Sequence, residues 1–321
     1  MVREVEGTID IDGKSLYTKS WLPDDTPRAN LVFIHGFSDH INRYNKLMTY
    51  LASRSIAVHG FDQRGWGRSV AKRAERGLTG PTSRVLADMA AFIRAHLPSS
   101  PSDPPLFVMG HSMGGGQVLR FACDNDGSYT DIVKQVRGWL CEAPFIGLAP
   151  EEQPNWLTVF GARLVGKLFP RMHYVHEITP ESLSRIDEEV RSIREDGLMH
   201  NTGTLEGLGH LIDRTADLSS GRTRPDGAKV RSLWIGHGTD DKGTAYSETK
   251  RWFDSYAGVI EDREMKTYEG AYHQLHADLC REEFEKDVAD WILARCEGGE
   301  RQVQAGSEVK APEPKPVESK L

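Results

Sequence analysis

The 321-residue sequence lacks any run of about 18 uninterrupted apolar residues, so no membrane-spanning helix is expected. It is poor in cysteine. The four present, Cys123, Cys141, Cys280 and Cys296, form no CxxC pair and no zinc-type spacing. That argues against a disulfide scaffold or a zinc module and for reduced, packed thiols. It also lacks an excess of basic charge: 40 Lys and Arg face 47 Asp and Glu, for a net charge of -7. With no basic stripe, a nucleic-acid partner has no support. The first 21 residues carry charges throughout and no apolar h-region, so they do not read as a signal peptide. The expectation is a cytoplasmic protein that meets a membrane or lipid droplet, if at all, from its surface.

What is present is a rhythm. Two alternating runs flank Asp12-Gly13, a dipeptide that reads as a hairpin turn. Short apolar runs then recur: LVFI (31–34), IAVHGF (56–61), LFVM (106–109), GWLC (138–141) and LWI (233–235), with the strand-like EMKTY (264–268) ending the series. Segments with helical spacing lie between most of them, at 43–53, 83–96, 114–123, 244–256 and 282–296. Buried strands alternating with helices predict an α/β fold, a mostly parallel sheet covered on both faces. Chemistry in such sheets gathers at the carboxyl ends of the strands, and the polar and glycine-rich residues of this sequence sit there.

One block breaks the rhythm. From Phe145 to about Arg231 no strand is evident, and three helices are expected: 154–170, bounded by prolines, 180–194 and 203–217. The block reads as a helical cap inserted at about 145–231 into an α/β domain spanning 1–296. Gly161 and Gly166 lower the helix propensity of its first segment, which would suit a mobile lid. The last stretch, 297–321, is rich in Glu, Lys, Pro, Gly and Ser and is expected to be disordered.

The sharpest local signal is VMGHSMGGGQ (108–117). Gly110-His111-Ser112-Met113-Gly114 is a G-x-S-x-G pattern between an apolar strand and a helix-compatible run, the context of a nucleophile elbow. A serine hydroxyl needs a base, and the base needs an orienting acid. His111 sits inside the elbow, pointing away from the serine, and is not assigned as the base. The partners should follow in the order acid, then histidine. Asp241 closes the strand in LWIGHGTDD, with Asp240 as a rival. His273 follows the last strand in YEGAYHQLH, with His276 as a rival. Two backbone N–H donors should face the oxyanion: that of Met113, and one from the loop after LVFI, with Phe37 as the candidate. No metal or organic cofactor is required by this chemistry.

HGFSDHINRY, FDQRGWGRS, GHSMGGG, HGTDDKGT and YEGAYHQLH occur in this order. Together they resemble the monoacylglycerol lipases of the α/β-hydrolase fold, in their fungal branch, over nearly the whole chain to about Cys296. The resemblance implies an eight-stranded sheet with a mobile helical cap over an acyl tunnel. It implies Ser112, Asp241 and His273 as the triad, favouring Asp241 over Asp240, and Phe37 and Met113 as oxyanion donors. It also implies a glycerol-binding corner at Asp39, Arg43 and His276. Asp39 stands where the animal enzymes have a longer glutamate, and Ile193 where they have a cap tyrosine. The expected substrate is a monoacylglycerol or a similar lipid ester. A lysophospholipase, a broad carboxylesterase and, further off, an acyltransferase or a peptidase of the proline-iminopeptidase kind remain alternatives, as does a binding protein on an inactive hydrolase scaffold.

Overall fold

The computed structural model describes residues 1–147 and 165–296. Strands β1 (Val2–Ile11) and β2 (Lys14–Pro23) form the hairpin around Asp12-Gly13. Six more strands complete one sheet: β3 (Ala29–Ile34), β4 (Ile56–Phe61), β5 (Leu106–His111), β6 (Gly138–Glu142), β9 (Ser232–Gly238) and β10 (Asp262–Tyr268). Their order is β1-β2-β4-β3-β5-β6-β9-β10. The pairings β1–β2 and β2–β4 are antiparallel, and the others are parallel.

The pleat sends successive side chains to opposite faces, which explains why the central strands are apolar throughout. On β5, Leu106 and Val108 pack with α2 (Thr82–Arg94), α3 (Met113–Ala122) and α7 (Tyr246–Tyr256). Phe107 and Met109 point the other way, toward α1 (Asn45–Ser53) and α8 (Arg281–Leu293). A short helix, α4 (Thr130–Gln135), precedes β6.

The chain between β6 and β9 departs from the expected all-helical block in two ways. A two-stranded antiparallel ribbon is present, β7 (His173–Val175) with β8 (Thr202–Thr204). Three residues each are too few to show an alternating pattern, so this ribbon leaves no sequence signal. The expected helix 180–194 is also interrupted. A single 3-10 turn, Pro180–Ser182, is followed by α5 (Asp187–Glu195). The break has a cause outside the segment: Ser184 Oγ donates to the Ala277 carbonyl at 2.6 Å, and the Arg185 guanidinium is drawn to Asp278 at 2.7 Å. The third helix is present as α6 (Leu205–Ser219), capped by Thr204 Oγ1. Most of the expected helix 154–170, Gly161 included, lies outside the described residues, as does 297–321.

Candidate active site

The serine sits on a turn that only this glycine pattern permits. Ser112 has φ +55° and ψ −118°, a region L-residues rarely adopt, between the end of β5 and the start of α3. A Cβ on Gly110 would lie 2.4 Å from the Gly114 carbonyl oxygen, and one on Gly114 would lie 2.2 Å from that of Ile34. Both glycines are therefore needed for close backbone approach. The turn is held by three backbone hydrogen bonds: Ser112 N–H to the Glu142 carbonyl, and Phe145 and Gly116 N–H to the Ser112 carbonyl, all within 3.0 Å.

Three strand ends converge here. His273, after β10, places Nε2 2.8 Å from Ser112 Oγ and Nδ1 2.8 Å from Asp241 Oδ2. Asp241, just beyond β9, has no exposed side-chain surface. Its Oδ1 accepts the peptide N–H groups of Gly243 and Thr244, and its Oδ2 also meets His237 Nε2 at 2.9 Å. Burial pushes the Asp241 carboxyl up, but the two histidines outweigh it and hold it far below the usual carboxylate range. Burial alone would lower His273; the charge of Asp241, its hydrogen bond and the more distant Glu142 and Asp39 reverse that and raise it. Asp240, the rival acid, is exposed and turned toward Thr239. His276, the rival base, gives its Nδ1 to Glu142 Oε1 at 2.7 Å.

The expected oxyanion donors flank the serine. Met113 is the first residue of α3, so its peptide N–H has no partner within the helix. Phe37 lies in the loop after β3. Its ring meets the edge of Trp66 at 4.8 Å, and its neighbour Ser38 accepts the Asn201 N–H through Oγ at 2.8 Å. The site of the hypothetical Cβ on Gly36 lies 3.4 Å from Ser112 Cβ, so this loop runs directly over the nucleophile.

The three residues expected to form a glycerol corner are all engaged by the protein itself. Asp39 is 2 % exposed and accepts the Tyr44 hydroxyl at 2.6 Å and the His40 N–H at 2.8 Å. Arg43 donates to Ser192 Oγ at 2.6 Å and lies 4.0 Å from Glu189 and 3.8 Å from Asp196, all three of which belong to or adjoin α5. His276 is bound to Glu142. Ile193, beside Ser192, is buried.

Several participants left no signal in a sequence reading. Tyr44 bridges Asp39 and His111 Nδ1, at 2.6 and 2.8 Å. Its single proton goes to the carboxylate, so His111 donates from Nδ1. Burial pushes His111 down to about 3, which keeps it neutral. Asp278 accepts the Tyr272 N–H and a fork from Arg185, bracing the turn that carries His273. Glu142 could have been suspected as the lone acidic residue closing an apolar strand. Among the described residues, one group, His111, Glu142 and His276, brings possible ligand atoms within 4.8 Å of one another. The hydrogen bond inside it already engages Glu142 and His276 with each other.

The chain resembles known proteins along most of its length. Residues 25–279 match the family described as serine aminopeptidase, S33. A Schizosaccharomyces pombe protein named "Putative monoglyceride lipase" is 32% identical over 309 residues, covering 94% of this chain and 77% of that protein. The monoglyceride lipase of Mus musculus is 29% identical, with 84% of each chain covered. A soluble variant of monoglyceride lipase from Saccharomyces cerevisiae, solved in complex with a substrate analog, superposes with a TM-score of 0.80 at 22% identity, covering 90% of this chain and 94% of that one. The chain therefore belongs to the S33 serine hydrolase family of the α/β-hydrolase fold, with monoglyceride lipases among its relatives, and is a carboxylic-ester hydrolase.

Proposed function

We propose that the protein hydrolyses monoacylglycerols to glycerol and free fatty acid. The observation that carries the reading is the unbroken chain Ser112 Oγ, His273, Asp241, with 2.8 Å at each step. In this reading His273 takes the Ser112 proton as Oγ attacks the ester carbonyl, and Asp241 stabilises the imidazolium. The N–H groups of Phe37 and Met113 bind the oxyanion, each contributing about 2.7–4 kcal/mol to lowering the barrier. His273 then protonates the departing glycerol oxygen. Water, deprotonated by the same histidine, attacks the acyl-enzyme and releases the acid.

The segment 145–231 acts as a cap over this site. Its described part is tied to the site's rim through Arg43–Ser192, Arg185–Asp278 and the Gln274 N–H to Leu183 carbonyl bond. Leu168, Phe169, Tyr174 and Val175 are each more than half exposed, which favours contact of the cap with a lipid surface. Among the described residues, no helix is long and apolar enough to cross a membrane.

A second reading, a lysophospholipase or broad carboxylesterase, is favoured by one observation: Asp39, Arg43 and His276 already have protein partners. For them to grip glycerol, the Arg43 bond to Ser192 has to yield. The discriminating experiment measures glycerol and fatty-acid release from monoacylglycerols beside a lysophospholipid, a diacylglycerol and a p-nitrophenyl ester, with Ser112→Ala as blank. A clear preference for monoacylglycerol, reduced by Arg43→Ala through KM while the p-nitrophenyl ester is unaffected, supports the first reading. Equal turnover of all esters supports the second.

A further inference from the structure

Glu142 occupies an unusual position. It ends β6 directly opposite His111 in the β5–β6 ladder, and its side chain has no exposed surface. Its carbonyl accepts the Ser112 N–H at 2.9 Å. Its Oε1 accepts both the peptide N–H of His276 at 3.0 Å and His276 Nδ1 at 2.7 Å. One residue thus holds the nucleophile through its main chain and the histidine-bearing turn through its side chain. Among the described residues, no other on that strand end does both.

The bond is not explained by packing. Glu142 Oε2 and, across from it, His111 Nε2 are buried without a hydrogen-bond partner. Such atoms cost stability, and an apolar side chain of the same volume would avoid that cost. The carboxylate is kept charged all the same. Burial pushes it up, but His276, through its field and its two hydrogen bonds, outweighs burial and holds it below its ordinary value. What the carboxylate does here that an apolar residue would not is fix the turn 273–276 in place and put a negative charge near the base.

We propose that Glu142 is a positioning residue for the hydrolysis: its carboxylate locks His276, and with it the turn carrying His273, onto the strand end that also holds Ser112. The inference rests on reading Ser112 and His273 as nucleophile and base. No proton leaves the pair during turnover, since His276 keeps its Nδ1–H on Glu142 Oε1. Two consequences separate this role from a structural one. Loosening the tether shifts Nε2 of His273 off Ser112 Oγ, which reduces kcat even for an ester without glycerol. Removing the charge while keeping the acceptor changes the pH profile. The groups that face His273 are Asp241, Glu142 and Asp39, which favour its charged form, and His111, whose ring centroid lies 4.8 Å away. Deleting one of the three negative charges moves the acid limb down.

The test uses the full chain and a short p-nitrophenyl ester, with rates expressed per site titrated by a serine-reactive fluorophosphonate. Glu142→Leu should lower kcat per site roughly ten- to a hundredfold, with KM little changed. Glu142→Gln, which can still accept both His276 bonds, should keep most of kcat but move the acid limb of kcat/KM to lower pH by about half a unit or more. An acid limb unmoved in Glu142→Gln overturns the proposal, even if Glu142→Leu fails to fold. A per-site kcat for Glu142→Leu within about twofold of the parent also overturns it. Failure of the underlying reading looks different: the unaltered protein would then show no Ser112-dependent hydrolysis at all.

Discussion

At the scale of single residues, the choice between neighbours is made by burial and by partners. Asp240 and Asp241 are adjacent and chemically identical, and order along the chain leaves both open. The turn after β9 hides the second entirely and surrounds it with two imidazoles and two peptide N–H groups. Asp241→Asn should therefore lower kcat by a factor on the order of 10⁴, while Asp240→Asn stays near the parent rate; steady-state kinetics on one ester decides the ranking. The same surroundings set the pH dependence. The base must be neutral to act, and His273 is raised above the ordinary imidazole value. Activity should therefore fall on the acid side with a midpoint above about 6.5, as read from kcat/KM against pH. Glu142 and Tyr44 escaped a linear reading because their significance lies in what converges on them. Each meets partners more than 65 residues away along the chain, His276 for one and His111 for the other.

At the scale of elements, the central strands were legible because burial on both faces makes them apolar nearly from end to end. The catalytic strand ends were legible because glycine and polar residues interrupt those runs abruptly. Of the inserted segment, the helix expected at 203–217 was legible, but the irregular stretch before it was not. Whether 180–194 runs on as a helix depends on Asp278 and the Ala277 carbonyl, which capture Arg185 and Ser184 across 93 positions of sequence. Local propensity carries no information about such a partner. Glycines likewise look alike in a sequence and differ in space. Gly114→Ala would force a Cβ to within 2.2 Å of a carbonyl and should cost about 1–3 kcal/mol together with most of the activity. Gly209, inside α6, has nothing within 4 Å of where a Cβ would go. Gly209→Ala should stabilise by up to about 1 kcal/mol through helix propensity alone. Urea denaturation of the two variants tests the contrast.

At the scale of the whole molecule, buried histidines make the fold acid-sensitive. Burial pushes His59 down to about 3, aided slightly by His96, whose tilted ring lies 4.3 Å away, and His111 to about 3 as well. Above about 6.5 neither contributes a pH dependence. Below it, the unfolded chain binds protons that the native state refuses, so stability falls. At pH 5 each histidine accounts for on the order of 2 kcal/mol. His273, raised rather than lowered, opposes this trend. Asp241 adds to it only once pH falls below the ordinary carboxylate value, since its depressed value contributes stability that is present above that point and lost as pH drops below it. Denaturant midpoints should drop between pH 7.5 and pH 5, and His59→Gln should flatten the drop.

The connection from β6 to β9 carries a consequence of another kind. These strands are direct neighbours, paired in parallel from Trp139 with Leu233 to Glu142 with Gly236. The ladder thus closes across the inserted segment without using any of it. The catalytic strand ends are anchored to that ladder, yet the inserted segment reaches back to them through Arg185, whose fork on Asp278 braces the turn carrying His273. Exchanging that stretch for its counterpart from a relative would leave the ladder whole, but would keep the turn braced only where the counterpart also offers a cation to Asp278.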